Sequence, residues 1–189
     1  ITITEKSLKR TPSFSVNRPG EETGITFAGI PLGHEFNSLV LAILQVSGRA
    51  PKEKQSIIDQ IKGLEGPFHF ETFVSLTCQK CPDVVQALNL MSVINPNITH
   101  TMIDGAVFRE ESENIMAVPA VFLDGQEFGN GRTTVQDILT KLGSTQDASE
   151  FNDKDPYDVL IVGGGPASGS AAIYTARKGL RTGCLLYTS

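Results

Sequence analysis

Two cysteines separated by two residues, Cys78 and Cys81, stand between a predicted strand and a predicted helix. The stretch 67–76 is rich in aromatic and β-branched residues, which favours a strand, and apolar residues at helical spacing predict a helix over 79–92. At the start of a helix, free backbone N–H groups and the macrodipole stabilise an anion. The pattern therefore predicts a thiol–disulfide redox centre in which Cys78 is the attacking thiolate and Cys81, one turn further in, is the buried resolving thiol.

Two other interpretations of the C-x-x-C pattern have to be weighed. One is half of a structural zinc site, and the other is a pair of inert buried cysteines. A second pair of zinc ligands is missing, since Cys184 is the remaining cysteine and the histidines stand singly, so that no metal is expected. A redox dithiol is favoured because this spacing beside a β/α pattern is typical of thioredoxin-like motifs.

The composition is that of an ordinary globular protein. Its 189 residues, 40% of them hydrophobic, can build one medium domain or two small ones. The net charge of -5 argues against nonspecific nucleic-acid binding, and no apolar run approaches the roughly 20 residues that span a bilayer. With few cysteines and no signal-peptide pattern, we expect a cytoplasmic location, where a C-x-x-C is catalytic rather than structural. The chain begins with Ile1 rather than methionine, which leaves open what precedes it.

The order of predicted elements indicates an α/β protein with tandem thioredoxin-like units. Residues 65–142 show the βαβαββα order of such a unit, with a hairpin turn at Asp124-Gly125. Residues 1–64 show strand, turn, strand and two helices without cysteine, and we interpret them as the C-terminal part of a first, incomplete unit. The order proline, strand, turn, strand, helix, glycine recurs in 12–48 and 119–143, although chance similarity of two hairpin–helix segments is the alternative.

The last part of the chain has a different character. The polar segment 143–156 is predicted to be a linker. Residues 157–189 then begin with an apolar strand, a glycine-rich turn and a helix, the truncated start of a Rossmann-type βα unit. Small residues in such a turn let a pyrophosphate approach the helix N-terminus, and the candidates are Gly163, Gly165, Pro166, Ala167 and Ser168. Ser168 stands where the fingerprint has Gly or Ala, and no ribose-binding acid follows, so we expect this chain to bind no nucleotide by itself.

Four stretches together resemble the flavoprotein subunits of bacterial alkyl hydroperoxide reductases, the peroxiredoxin reductases. They are TFVSLTCQKCPDVVQALNLM, NPNITHTMIDGAVF, MAVPAVFLDGQEFGNGR and YDVLIVGGGPASGSAAIYTARKGLRTG. The resemblance covers roughly residues 5–183. It implies that electrons pass from NADH to FAD, to a disulfide in the flavoprotein body, to the Cys78/Cys81 dithiol and finally to an oxidised peroxiredoxin, and that the full-length protein is a homodimer.

Parts of the family pattern are not present. The first strands of the leading unit are absent, the flavin domain stops after its first βα unit without a nicotinamide site, and residues 184–189 do not continue the pattern. FAD and NAD(H) are therefore expected in the full-length protein and not in this chain. The chain is expected to be a redox relay domain rather than a complete NADH-dependent enzyme.

The resemblance implies two further site residues. Pro119 takes the place of the cis-proline that faces the C-x-x-C, and the alternative is an ordinary proline that starts a strand. Glu35, in the turn 33–35, is expected to approach the dithiol and help remove the proton of Cys81, whereas the alternative is a carboxylate that caps its own helix. A second class of function also stays open, a general disulfide oxidoreductase of the glutaredoxin or protein-disulfide-isomerase type.

Overall fold

The computed structural model describes residues 2–143 and 157–185, and the chain divides into two compact units, Ile1–Gln146 and Asp147–Ser189. The strands of the first unit are β1 (Ser13–Arg18), β2 (Glu21–Ala28), β3 (Phe68–Val74), β4 (Ile98–Asp104), β5 (Ala120–Leu123) and β6 (Gln126–Asn130). Its helices are α1 (Phe36–Val46), α2 (Gln55–Lys62), α3 (Cys81–Ile94), α4 (Arg109–Ser112) and α5 (Val135–Lys141), and a 3-10 turn, Gly33–Glu35, precedes α1. The second unit contains β7 (Val159–Val162), α6 (Pro166–Arg177) and β8 (Thr182–Leu185).

One six-stranded sheet, in the order β1-β2-β4-β3-β5-β6, forms the centre of the first unit. Strands β2, β4 and β3 are parallel, while β1, β5 and β6 pair antiparallel with their neighbours. The two predicted thioredoxin-like units share this sheet, because β2 of the first pairs with β4 of the second, from Ile25 opposite His100 to Ala28 opposite Ile103. A boundary at residue 64 stays a prediction about sequence units, since it falls inside one compact body.

The run from β3 to α5 has the predicted thioredoxin-like order. The parallel pair β3 and β4 is joined by the crossover helix α3, and the antiparallel hairpin β5–β6 completes the sheet. Asp124 and Gly125 link β5 to β6 with φ angles of 50° and 79°, the left-handed values of a type I′ turn. The α/β prediction and the predicted hairpin are therefore confirmed.

The internal repeat has a structural counterpart. Each hairpin–helix segment begins after a cis proline, Pro12 in the first segment and Pro119 in the second. In the first segment the Gly29 N–H donates to the Pro12 carbonyl at 2.9 Å, and in the second the Gly131 N–H donates to the Pro119 carbonyl at 2.9 Å. The matching hydrogen bonds support a repeat rather than a chance similarity of sequence.

Helix α3 is the most enclosed helix of the first unit. Val84, Leu88 and Met91 on α3 are fully buried with Phe70 of β3 and Ile98 of β4 in the largest apolar cluster. Val85, on an adjacent face, packs in a second cluster with residues of β2 and α1. Because apolar contacts hold α3 on several sides, its first residue is fixed relative to the end of β3.

The second unit is a small βαβ unit. The sequence predicted one strand and one helix, and the structure adds β8, which pairs parallel with β7 from Val159 opposite Thr182 to Val162 opposite Leu185. Although β7 is apolar, its residues Leu160 and Val162 are exposed. Apart from Gly143, the predicted linker 143–156 lies outside the described residues. Among the described helices of both units, none has the length and apolar character needed to cross a membrane.

Candidate redox site

The two cysteines lie where β3 ends and α3 begins. The Cys78 N–H donates to the Ser75 carbonyl at 2.9 Å, which closes a turn after the strand. The predicted helix start at residue 79 was wrong: α3 begins at Cys81, so that Cys81 is its first residue rather than one turn inside. The physical signal is Pro82, since proline lacks an N–H and is favoured in the first helical turn, where that donor would have no partner.

The two thiols differ in exposure and in protonation. Both are reduced; Cys78 is half-buried, whereas Cys81 is 0% exposed. The Cys81 N–H donates to Cys78 Sγ at 3.2 Å, a contact that stabilises negative charge on that sulfur. Burial, followed by the hydrogen bond with Cys78, raises the pKa of the Cys81 thiol far above its ordinary value. Cys81 is therefore a shielded thiol that stays protonated at neutral pH, next to a sulfur that solvent can reach.

Pro119 lies opposite Cys78, as the resemblance implied. The Val118–Pro119 peptide bond is cis, and the Val118 carbonyl oxygen lies 3.8 Å from Cys78 Sγ. The prediction of a cis-proline is thus confirmed, while a catalytic role for Pro119 stays a prediction. On the neighbouring loop, Arg132 Nε lies 2.6 Å from Asp83 Oδ2, an ion pair that joins the residues after β6 to the first turn of α3.

The 3-10 turn before α1 is pressed against the loop that carries Cys78. The His34 N–H donates to the Leu76 carbonyl at 3.1 Å. Gly33 has a φ of +56°, and a Cβ added there would lie 2.5 Å from the same Leu76 oxygen. Only glycine fits this approach, because any side chain would strain the left-handed backbone and also collide with a carbonyl group. The turn thereby fixes Glu35 near the redox pair.

Glu35 is a buried acid without a capping role. It is 0% exposed, and neither carboxylate oxygen forms a hydrogen bond with a described residue. It occupies the N-cap position of α1 but makes no side-chain capping bond. Burial raises the pKa of Glu35 to about 7, although the nearby Ser38 hydroxyl opposes this shift. The negative charge of Glu35 is one of the causes that raise the pKa of Cys81, so the two groups are close enough to influence one another.

One buried polar network was not foreseen. His100 is fully buried on β4, with Nδ1 2.7 Å from Asn89 Oδ1 and Nε2 2.9 Å from Thr72 Oγ1. Burial lowers the pKa of His100 to about 3, so the ring is neutral at ordinary pH. The network joins α3 to the parallel strands β3 and β4. The only sequence signal was the alternation of β4, which places His100 on the same face as Ile98 and Met102.

A second unforeseen cluster ties the beginning of the chain to the sheet. The Arg10 guanidinium, largely buried, donates to Glu71 Oε1 at 2.8 Å and to Glu111 Oε2 at 2.5 Å. Arg10 holds the pKa of both carboxyl groups below their ordinary value, although burial opposes this for Glu71. The Glu71 carboxylate is thereby held in an ion pair with Arg10. No local pattern could have predicted pairs that are 61 and 101 residues apart in sequence.

The glycine-rich turn of the second unit lies between β7 and α6. Gly163 has a φ of 122°, and Gly165 caps α6, whose helical residues begin at Pro166. A Cβ added at Gly165 would meet no atom within 4 Å, which leaves room above the free N–H groups of Ala167 and Ser168. These residues fit the pyrophosphate of a dinucleotide, but β8 (Thr182–Leu185) carries no acid for the ribose. Within the described residues, no cluster of three or more His, Cys, Asp or Glu could hold a metal ion.

Comparisons with known proteins identify relatives of this chain. Residues 69–143 match a family model described as a thioredoxin domain. The F subunit of alkyl hydroperoxide reductase from Staphylococcus aureus is 90% identical over 183 residues, which are 97% of this chain and 36% of that protein. The chain thus spans about a third of the length of the curated relatives it matches.

Solved structures give the same result. The crystal structure of the NTD_N/C domain of alkyl hydroperoxide reductase AhpF from Enterococcus faecalis has a TM-score of 0.68 and 38% identity, and the match covers 71% of this chain and 66% of that one. A protein disulfide oxidoreductase from Aeropyrum pernix has a TM-score of 0.63 and 23% identity over 75% of this chain and 62% of its own, a likeness of fold alone. Comparison of sequence and of structure shows that this chain belongs to the AhpF family of alkyl hydroperoxide reductases.

Proposed function

We propose that this chain is a redox relay that reduces an oxidised peroxiredoxin with electrons supplied by the flavin and NADH domains of a full-length reductase. The observation that carries the proposal is the asymmetry of the dithiol. Cys78 reaches solvent and accepts a hydrogen bond from the first N–H of α3, whereas Cys81 is fully buried with a raised pKa. Cys78 can therefore react with a partner disulfide, while Cys81 is shielded from solvent.

The exchange has two steps. The Cys78 thiolate attacks one sulfur of the partner disulfide, an S–S bond to Cys78 forms, and the partner's other sulfur leaves as a thiolate. Cys81 then loses its proton and attacks Cys78 Sγ, which releases the second partner thiolate. The result is a Cys78–Cys81 disulfide and, after protonation, a partner dithiol, so that two electrons and two protons have moved to the partner.

The second step needs a base for the Cys81 proton, and we assign the role of this general base to Glu35. Its pKa of about 7 lets it exchange a proton at neutral pH, and it lies close enough for its charge to affect Cys81. A buried carboxylate without hydrogen-bond partners gains stability when it takes up a proton. Glu35 is thus suited to accept the proton and to return it to solvent later.

Electrons would enter from the flavin side of the full-length protein. Gly163, Gly165, Ala167 and Ser168 would hold the pyrophosphate of FAD through backbone N–H groups at the start of α6. When bound, FAD passes electron pairs from NADH to disulfides. We further propose that the full-length protein is a homodimer, as its family resemblance implies, and that it is cytoplasmic, as expected from its few cysteines.

A trapping experiment tests the roles of the two cysteines. In a background with Cys184→Ser, which removes the exposed third thiol, Cys81→Ser should accumulate a mixed disulfide between Cys78 and an oxidised peroxiredoxin. The matched Cys78→Ser variant should accumulate none, because its remaining thiol is buried. The roles are reversed if peptide mapping finds an adduct on Cys81 in the Cys78→Ser variant and none on Cys78 in the Cys81→Ser variant.

A comparison of rates with two protein disulfides separates this proposal from a general disulfide oxidoreductase. We expect the reduced chain to transfer electrons to the oxidised peroxiredoxin at least tenfold faster than to insulin at equal concentration, about 1.4 kcal/mol of selectivity. Equal rates for the two protein disulfides would favour the glutaredoxin-like or protein-disulfide-isomerase-like alternative.

A further inference from the structure

The three methionines of the chain differ sharply in exposure. Met91 on α3 and Met102 on β4 are 0% exposed, whereas Met116 is 99% exposed. A buried thioether is protected from oxidants by the packed core around it, and an exposed one is not. The chain therefore contains one thioether that solvent reaches completely, and two internal controls of the same chemistry.

Met116 lies on a segment that is anchored on both sides. Ile115 packs against the apolar cluster that contains Phe73 and Ile103, and Pro119 is buried at the other end. Met116 precedes Val118 by two residues, and the Val118 carbonyl oxygen lies 3.8 Å from Cys78 Sγ. Since consecutive Cα atoms are about 3.8 Å apart, the Cα of Met116 lies within about 8 Å of that of Val118.

Met116 is one of several exposed apolar side chains at one edge of the sheet, which together we name the apolar rim. Some of its members follow the C-terminal ends of the parallel strands β2 and β4, and the others precede β5. Because β5 is antiparallel to β3, it starts at the edge of the sheet where β3 ends. The members are Ile30, Leu32, Val107, Met116 and Val118. Several exposed apolar side chains at the edge that carries Cys78 indicate a surface that another protein covers.

We propose that Met116 is an oxidation site through which a hydroperoxide lowers the rate at which Cys78 exchanges with a protein disulfide. The inference rests on the proposed function, which brings the chain into contact with peroxide chemistry. The Met116 sulfur attacks the terminal oxygen of a hydroperoxide, the O–O bond breaks and an S–O bond forms. Sulfur loses two electrons and becomes a sulfoxide, while the remaining fragment takes the proton and leaves as an alcohol or, from hydrogen peroxide, as water.

The sulfoxide changes what a docking protein has to bury. A thioether is apolar, whereas a sulfoxide carries a strongly polar oxygen. A partner that covers the apolar rim would strip water from this oxygen without replacing its hydrogen bonds, which weakens docking. A small soluble disulfide does not cover the rim, so its reaction with Cys78 should be unaffected.

The test uses the Cys184→Ser chain in its Cys78–Cys81 disulfide form, treated with hydrogen peroxide and then reduced with dithiothreitol, which restores the dithiol and leaves the sulfoxide. Peptide mass spectrometry should find one added oxygen on Met116 and none on Met91 or Met102. The treated chain should reduce oxidised peroxiredoxin about tenfold more slowly than the untreated chain. Its rate with the small disulfide 5,5′-dithiobis(2-nitrobenzoate) should stay the same.

The matched control is Met116→Leu, whose treated and untreated samples should have the same rate as each other. Oxidation of Met91 or Met102 as fast as Met116, an unchanged rate after complete oxidation of Met116, or an equal loss in Met116→Leu would each overturn the proposal. If the untreated chain fails to reduce peroxiredoxin, the proposed function fails instead. The oxidation site is then judged by mass spectrometry and by the rate with insulin as the protein disulfide.

Discussion

At the scale of residues, the site depends on two buried acidic groups, the Cys81 thiol and the Glu35 carboxyl. Both have raised pKa values because burial disfavours their charged forms. The Cys81 thiol is therefore neutral at neutral pH, and the Glu35 carboxyl is mostly neutral below pH 7. Glu35 thus becomes a proton acceptor only as the pH approaches 7.

Replacing Glu35 should change the pH dependence of the second exchange step. In the parent chain, release of the peroxiredoxin from its mixed disulfide should accelerate with an inflection near pH 7, where Glu35 ionises. In Glu35→Gln this inflection should disappear, because glutamine cannot take the Cys81 proton. Rapid-mixing kinetics at several pH values measure it, and exposed Glu65→Gln is the control. An unchanged inflection in Glu35→Gln would assign the titration to another group.

The same substitution should alter stability in a defined direction. The folded-state pKa of Glu35 is about 7, above the ordinary value of 4.5, so its contribution to stability is complete below pH 4.5 and is lost as pH rises through 7. His100 acts oppositely, since its folded-state pKa of about 3 lies below 6.5 and its contribution is lost as pH falls from 6.5 towards 3. Because the parent and Glu35→Gln both contain His100, its contribution cancels in the difference between their free energies of unfolding.

We expect the free energy of unfolding of the parent, relative to Glu35→Gln, to fall by about 3 kcal/mol between pH 4.5 and pH 8. Urea unfolding at both pH values measures this difference. A constant difference across the range would show that Glu35 ionises in the folded protein as it does in the unfolded chain.

At the scale of elements, the Gly33–Glu35 turn connects the first predicted unit to the redox loop. Its contact with Leu76 requires glycine at position 33, where φ is +56°. Gly33→Ala should therefore cost roughly 2–4 kcal/mol, from left-handed strain plus displacement of the turn, and should also shift the inflection assigned to Glu35. Gly48→Ala is the matched control: Gly48 has a φ of +98°, but an added Cβ meets nothing within 4 Å.

Urea unfolding should show a smaller loss for Gly48→Ala, about 1–2 kcal/mol. Equal losses for the two variants would indicate that the contact between the turn and Leu76 contributes nothing beyond backbone strain.

Element types could be predicted from the sequence because periodicity and turn residues act locally. The strand Ile98–Asp104 and the Asp124-Gly125 hairpin show this. Helical spacing alone predicts a start of α3 two residues too early, whereas Pro82 marks the first helical turn. The pairing of β2 with β4 and the contact of Gly33 with Leu76 could not be predicted, since they depend on residues far apart in sequence. Glu35 and Pro119 were reached through family resemblance, not through a local pattern.

At the scale of the whole molecule, the chain divides into a unit that holds the dithiol and a smaller βαβ unit. In the smaller unit Leu160, Val162, Ile173 and Tyr174 are exposed, and β8 offers no acid to a ribose. We therefore expect the purified chain, mixed with excess FAD, to keep no stoichiometric flavin through gel filtration. The flavin absorbance of the protein peak measures this, and a yellow peak with one FAD per chain would contradict it.

The Cys78/Cys81 dithiol itself is expected to deliver electrons to an oxidised peroxiredoxin. The direct measurement mixes pre-reduced Cys184→Ser chain, freed of reductant, with an equal amount of peroxiredoxin disulfide and follows both proteins by intact mass spectrometry and thiol counting. We predict that each chain loses two hydrogens as Cys78 and Cys81 form a disulfide, while one peroxiredoxin disulfide becomes a dithiol. A chain that stays reduced beside a peroxiredoxin that stays oxidised, when the full-length family protein reduces that peroxiredoxin, would contradict the account.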